Sequence, residues 1–211
     1  MGDLACPWAL AALTTGFVLL YELMLLRHRL RSQSGSGILG RHASLREDWY
    51  AAVSAQPGSE VLAVQTLRNS VMSATVLAST AALALMGTVS LLAPSKGGAG
   101  GAPAFGPREL MDLLLMGLLC ASLVCSLFSV RLYNHAGFIC GMPVGSDARA
   151  AWAPAAVRYV RDAGLLYGVG LRQMVLVVPV VVGLYHPISG AVIAAVVTGG
   201  LLQLDRAPGA N

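Results

Sequence analysis

The stretch Leu110–Val130, LMDLLLMGLLCASLVCSLFSV, decides the fold. Its one charged residue is Asp112, near its start. A helix advances by about 1.5 Å per residue, so about 20 apolar residues cross the hydrocarbon core of a bilayer. The stretch has that length and that composition. It therefore predicts a membrane-spanning α-helix.

The composition of the whole chain also indicates a membrane protein. Of its 211 residues, 56% are hydrophobic and 11% are charged, whereas soluble domains average about 25% charged residues. So little charge cannot cover a water-facing globule. The net charge of +4 is interpreted as orientation signals and contacts with lipid headgroups, and no nucleic-acid partner is expected. The length fits one polytopic membrane domain over residues 1–211.

Four stretches are long and apolar enough to span the bilayer: residues 8–26, 70–93, 110–130 and 174–202. The fourth contains Tyr185-His186-Pro187 and could be one kinked helix or a re-entrant pair. We favour one kinked helix, because neighbouring helices can satisfy the carbonyl that a proline leaves unbonded. The sequence thus predicts an all-α integral membrane bundle of four transmembrane helices.

The distribution of basic residues predicts the orientation. Two connecting segments hold 11 of the 14 basic residues: Arg27, Arg29, Arg31, Arg41, Arg46 and Arg68 in one, and Arg131, Arg149, Arg158, Arg161 and Arg172 in the other. Loops rich in arginine and lysine stay in the cytoplasm. Both segments are therefore predicted to be cytoplasmic, and both termini are predicted to lie on the outer side.

The two arginine-rich segments are predicted to carry short interfacial helices. Ser44 and Glu47 have the spacing of a capping box, which predicts a helix start. Pro57-Gly58 would end that helix, and Ser59-Glu60 would cap the helix that continues into the second span. Residues 147–162 mix charged and aromatic side chains, which suits a segment lying on the headgroup layer.

Several polar residues are predicted at one depth near the inner face, where they would form a ligand-binding or structural cluster: Glu22, Arg68, Asn69, Arg131, Asn134, His135 and Arg172. An ionisable group inside a membrane usually has a partner. One hypothesis is an ionic cluster in which Glu22 pairs with Arg68 or Arg131. In the alternative, each arginine extends separately to lipid phosphates. The sequence leaves both open.

No cofactor, metal site or catalytic set is predicted. His28 and His135 near the inner face, or His186 within the fourth span, could in principle ligate haem iron. Each histidine has a simpler explanation, in a basic cluster, a polar cluster or a proline kink. The cysteines are scattered and lack the spacing of metal ligands.

Three separated motifs resemble a family of bacterial and plant membrane proteins, domain of unknown function 599 (DUF599). They are VQTLRNSVM at residues 64–72, RLYNHAGF at residues 131–138, and GLR at residues 170–172 followed by an apolar run to Pro187. The resemblance implies a four-helix membrane protein and supplies no activity. The expected location is the bacterial inner membrane.

Three functions remain open. The first is a structural, accessory or scaffold subunit, either as a homo-oligomer or within a larger membrane complex. The second is an oligomeric transporter or channel whose cytoplasmic vestibule is lined by the polar cluster. The third is a lipid-modifying enzyme in which His135 is the acid or base, and it ranks last because no second catalytic group has a recognisable spacing.

Overall fold

The computed structural model describes residues 5–31, 38–54, 56–92 and 106–206. Within these ranges the chain is helical and has no strand, which confirms the all-α prediction for that part of the chain. The helices are α1 Ala5–Arg31, α2 Ile38–Ser54, α3 Glu60–Leu92, α4 Pro107–Cys140, α5 Asp147–Tyr185 and α6 Pro187–Arg206.

Five of these helices, rather than the four predicted, are long and apolar enough to cross a membrane. The candidate spans are Pro7–Arg27, Glu60–Leu91, Pro107–Cys140, Asp147–Tyr185 and Pro187–Asp205. The additional one arises because the predicted fourth span, 174–202, is two helices in the structure. The prediction of one kinked helix in that stretch is therefore wrong.

The break lies at His186, between α5 and α6. A proline has no N–H and disfavours a helical conformation in the residue before it, whereas it fits the first position of a new helix. Pro187 occupies that first position. The backbone stays bonded through the break, since His186 N–H donates to Val182 O at 2.8 Å and Gly190 N–H donates to His186 O at 3.0 Å.

Three helices are longer than a bilayer requires. α3, α4 and α5 have 33, 34 and 39 residues, which correspond to about 50–58 Å, against about 30 Å for the hydrocarbon core. Residues 147–162 are the first part of the continuous α5, instead of a separate interfacial segment. α2 begins at Ile38, so Ser44 lies inside the helix that it was predicted to start.

The turn between α2 and α3 lies at Pro57-Gly58, as predicted, but the Ser59 side chain does not cap α3 as predicted. Gly58 has a φ of +85°, a conformation that glycine adopts without strain. The Ser59 hydroxyl donates to Val53 O of α2 at 2.6 Å and to Gln56 O of the turn at 2.7 Å, so it bonds to the segment before α3. α3 then begins at Glu60.

The chain divides into two compact units. Unit 1 comprises Met1–Ser34, Ala81–Ala121 and Arg172–Asn211, and unit 2 comprises Gly35–Thr80 and Ser122–Leu171. Within unit 2, alanines let helices approach closely around a few larger side chains. Its core is Tyr50, Ala63, Leu67, Tyr133, Ala136, Ile139, Cys140, Ala156, Val160 and Ala163.

Within unit 1, α5 and α6 form an antiparallel hairpin. Near the turn, Gly183 and Gly190 meet backbone to backbone, and a Cβ on Gly190 would collide with the Gly183 backbone. Farther from the turn, Arg172 of α5 pairs with Asp205 of α6. α6 also packs along α1.

Candidate functional site

A polar network in unit 1 joins three helices. The Arg172 Nη2 atom lies 2.6 Å from Asp205 Oδ1, and the Tyr21 hydroxyl donates to Asp205 Oδ2 at 3.2 Å. Tyr21 is 1% exposed, and the ion-paired side chains are 16% and 20% exposed. We call Tyr21, Glu22, Arg172, Gln173 and Asp205 the Arg172 network. It attaches α6 to both α5 and α1.

The third bond of the Arg172 network involves Glu22, whose charge is costly to place in a membrane-spanning helix. Gln173 is buried, and its Nε2 atom donates to Glu22 Oε1 at 2.8 Å. A hydrogen bond to a charged group is stronger than one between neutral groups. These three bonds therefore offset the cost of placing ionisable groups between membrane helices.

The remaining predicted site residues lie in unit 2. Arg68 and Asn69 are exposed on α3, and Arg131, Asn134 and His135 are exposed on α4. The His135 ring lies 5.8 Å from the Tyr159 ring of α5, centroid to centroid. Pairing of Glu22 with Arg68 or Arg131, and a single ligand-binding cluster, stay predictions.

Sequence reasoning missed Tyr21 and Asp205 as members of a site. Tyr21 resembles any aromatic residue near a membrane interface, so nothing in the sequence identifies it as a site residue. Asp205 follows the predicted fourth span and was therefore expected on the outer side, away from Arg172. A break at His186 is the signal that would have brought them together, because it returns the chain toward the level of Arg172.

Arg149 connects α4 to α5 in unit 2. It is 4% exposed, and its Nη1 atom donates to Cys140 O at 3.1 Å and to Met142 O at 2.6 Å. A cation there satisfies carbonyls at a helix C-terminus and interacts favourably with the helix dipole. The sequence singled out Arg149 only as an orientation signal. The structure makes it a structural residue.

Buried serines of α4 hold the first part of α5. Ser122 Oγ donates to Gly170 O at 2.9 Å, and Ser129 Oγ donates to Ala163 O at 2.8 Å. Gly170 leaves no room for a side chain, since an added Cβ would lie 2.9 Å from Ser126 Oγ. Small residues and hydroxyls of this kind are typical of packed membrane helices.

The described residues contain no group of three or more histidine, cysteine, aspartate or glutamate side chains that could hold a metal ion. The side chain of His28 lies outside the described residues. His186 is exposed at the break between α5 and α6. Among the described polar groups, those of the Arg172 network and the buried serines Ser122 and Ser129 bond helices to one another.

Five helices that are long and apolar enough to cross a membrane indicate a membrane protein. The chain belongs to the family described as Protein of unknown function, DUF599, whose sequence model matches residues 9–210. The match covers nearly the whole chain and confirms the resemblance seen in the three motifs. Searches of curated proteins and of solved structures returned no match.

Proposed function

We propose that this DUF599 protein is a structural or accessory subunit that assembles through one exposed face of α3. The observation that carries the proposal is a stripe along α3 in which every residue is exposed. We call it the α3 face: Leu62, Thr66, Asn69, Ser73, Val76, Thr80, Leu83, Gly87 and Ser90. Its spacing alternates between four and three residues, the repeat with which one helix packs along another.

The residue types of the α3 face suit another helix better than lipid. Thr66, Ser73, Thr80 and Gly87 recur every seven residues, and small side chains let two backbones approach closely. Between these small residues the α3 face carries Leu62, Val76 and Leu83, which are 63%, 66% and 70% exposed and would be the larger side chains that pack into a facing helix. Lipid tails gain nothing from small polar residues. A packed helix gains close van der Waals contact.

The polar groups of the α3 face fit a helix contact. Thr66 and Thr80 donate their hydroxyl hydrogens to carbonyls one turn earlier, at 2.9 Å each, so they add no unsatisfied donor. Asn69 instead carries an exposed amide. A single asparagine in a helix interface fixes the register by hydrogen bonding across it. Two copies inserted in the same direction would place Asn69 opposite Asn69.

Cysteine cross-linking in native membranes tests this proposal. With the four native cysteines replaced by alanine, Ser73→Cys, Thr80→Cys and Gly87→Cys are each expected to form a disulfide-linked product on mild oxidation. The matched controls are Val192→Cys and Val196→Cys, which are exposed on α6 and should stay monomeric.

The size of the product distinguishes a second copy from a different partner subunit. A doubled mass indicates a homo-oligomer, and any other mass indicates a complex with another protein. A disulfide to a different subunit also needs a cysteine on that subunit, so the absence of any product from the three α3 positions would contradict self-assembly through the α3 face. Equal products from the α6 controls would contradict assembly through the α3 face in either form.

A transporter or channel is the second candidate function. It is supported by the exposure of Arg68 and Asn69 on α3 and of Arg131 and His135 on α4, because exposed polar groups could line a vestibule built by several copies. It predicts ion or solute flux in proteoliposomes that Arg68→Gln abolishes. A subunit without transport activity predicts no flux above that of empty vesicles.

We further propose a multi-pass protein of the bacterial inner membrane with its N-terminus outside and its C-terminus inside. Five crossings put the termini on opposite sides, which replaces our expectation from four spans. Arg206 then joins the 11 arginines of the two cytoplasmic segments, so that 12 of the 14 basic residues lie inside. This distribution agrees with the positive-inside rule more closely than the four-span topology did.

A further inference from the structure

Unit 1 contains a cleft of about 200 Å³ at the end remote from the Arg172 network. It is bounded by Leu10 and Thr14 of α1, Arg108 and Met111 of α4, and Gly183 and Pro187 beside the turn of the hairpin. From Arg172 to Gly183 the helix advances about 16 Å. The cleft and the network therefore occupy different levels of unit 1.

The interior of the cleft is apolar and preformed. Thr14 is its one hydroxyl residue, and that hydroxyl donates to Leu10 O at 3.1 Å, so it offers no free donor to a ligand. The wall formed by Met111 is fixed from behind, where the Thr15 hydroxyl lies 3.8 Å from the Met111 sulfur. An apolar chain entering the cleft would displace water without leaving a polar group unsatisfied.

Among the described residues that line the cleft, Arg108 is the only charged one. Its side chain is exposed, and it is the second residue of α4, just before the apolar stretch that begins at Leu110. Of the nearby carboxylates, Glu109 accepts a hydrogen bond from Gly106 N–H at 3.0 Å. Asp112 lies one turn farther along α4 and outside the lining, and its carboxylate interacts electrostatically with Arg108. The N-terminal end of the α4 dipole adds to the positive potential.

We infer that this cleft binds one anionic phospholipid of the bilayer, with an acyl chain between the helix ends and the headgroup phosphate on Arg108. The position of Arg108 carries this assignment. A residue that immediately precedes a membrane-spanning apolar stretch lies at the level of the headgroups, and the apolar part of the cleft lies beside that stretch. An arginine can bind a phosphate through two parallel hydrogen bonds. A headgroup without a cation of its own is favoured there, because the guanidinium would repel the choline of phosphatidylcholine. A small soluble anion would use Arg108 and leave the apolar cleft empty.

Photolabelling tests this inference. The intact protein is reconstituted in phosphatidylcholine vesicles that contain a trace of phosphatidylglycerol with a photoreactive acyl chain, and labelled peptides are mapped. We expect labelling at residues of the cleft, competition by unlabelled phosphatidylglycerol, and no competition by inorganic phosphate. Arg108→Gln should lower the labelling about fivefold, as expected for the loss of one charge-assisted contact, and Arg108→Lys should retain most of it.

Two further variants make the outcome decisive. Arg158→Gln removes another exposed arginine, outside the cleft, and should leave the labelling unchanged. Leu184→Trp narrows the cleft and should reduce labelling even with Arg108 in place. The inference is overturned if Arg108→Gln labels like the natural protein, if photoreactive phosphatidylcholine labels the cleft equally, or if inorganic phosphate displaces the lipid. None of these results depends on whether the α3 face assembles.

Discussion

Arg172 shows how one residue can be charged inside a membrane protein at acceptable cost. Its guanidinium and the Asp205 carboxylate are both less than about a quarter exposed, and the Tyr21 hydroxyl donates to the same carboxylate. A buried ion pair of this kind adds little to the stability of the folded protein when it is compared with two well-packed apolar residues at the same positions. Removing one partner is far worse, because it leaves the other charge desolvated and unpaired. The two residues should therefore be strongly coupled.

Asp205→Asn is expected to lower the free energy of unfolding by about 3 kcal/mol, the size observed when one partner of a buried pair is removed. Arg172→Gln should cost a similar amount, and the double variant should cost clearly less than the sum. Denaturant unfolding in detergent, followed by circular dichroism, measures all three. Glu47→Gln is the matched control. The Glu47 and Arg161 side chains, which form an ion pair, are 32% and 47% exposed, so the pair should contribute less than about 1 kcal/mol to stability. Additive effects of the two changes would contradict the coupling.

Single residues also show what a sequence can and cannot say about a site. Glu22 and Arg172 could be singled out, because ionisable side chains in apolar stretches are expensive wherever the helix packs. Their partners could not be identified, because pairing depends on which helices are neighbours. Arg149 illustrates the same limit, since its carbonyl acceptors follow from the path of the turn between α4 and α5.

Among the helices, α5 and α6 depend on contact between two glycines. The additional Cβ of an alanine at Gly190 would meet the Cα and N atoms of Gly183. Backbone atoms cannot rotate away as the end of a side chain can. The hairpin would have to open near its turn, which would loosen the packing of α6.

Gly190→Ala is therefore expected to destabilise the protein by about 1–3 kcal/mol, the usual cost of overfilling a packed interior. Gly199→Ala on the same helix is the control, because nothing lies within 4 Å of its added Cβ. Alanine favours a helix over glycine by about 1 kcal/mol, so the control should be neutral or slightly stabilised. Thermal unfolding in detergent compares the two. Equal midpoints for the two variants would show that the glycine contact is dispensable.

Helices α1, α3 and α4 were predictable because a backbone in lipid must satisfy its own hydrogen bonds, which makes an apolar stretch helical. Their full lengths were not predictable from hydropathy. Beyond the apolar stretches, α3, α4 and α5 continue as helices whose alanines, including Ala63, Ala136 and Ala156, are buried in the core of unit 2. These extensions pack against one another and against Tyr50 of α2 in that core.

For the whole molecule, the most consequential change is from four predicted spans to five candidate spans. Hydropathy alone left one kinked helix or a divided pair open at Tyr185-His186-Pro187, and it could not show that α6 folds back. Measured from the turn at His186, α5 extends about 20 Å back to Arg172, whereas α6 extends about 27 Å to Asp205. The long Arg172 side chain bridges this difference in distance from the turn, because side chains on a helix point toward its N-terminal end, which for α5 is away from the turn. Arg172 thus extends toward the level of Asp205.

The five-crossing topology makes opposite predictions for two fusion points that flank α6. A periplasmic reporter enzyme fused after Tyr185 should be active, because the chain has then crossed outward through α5. The same enzyme fused after Arg206 should be inactive, whereas a fluorescent protein that folds only in the cytoplasm should fluoresce there. Adding the Gly190→Ala change to the second fusion tests whether the glycine contact is needed for α6 to return. If the fusions after Tyr185 and Arg206 reported the same side, α6 would not cross. The pairing of Arg172 with Asp205 would then need another explanation, because the two residues could no longer approach one membrane face from separate spans.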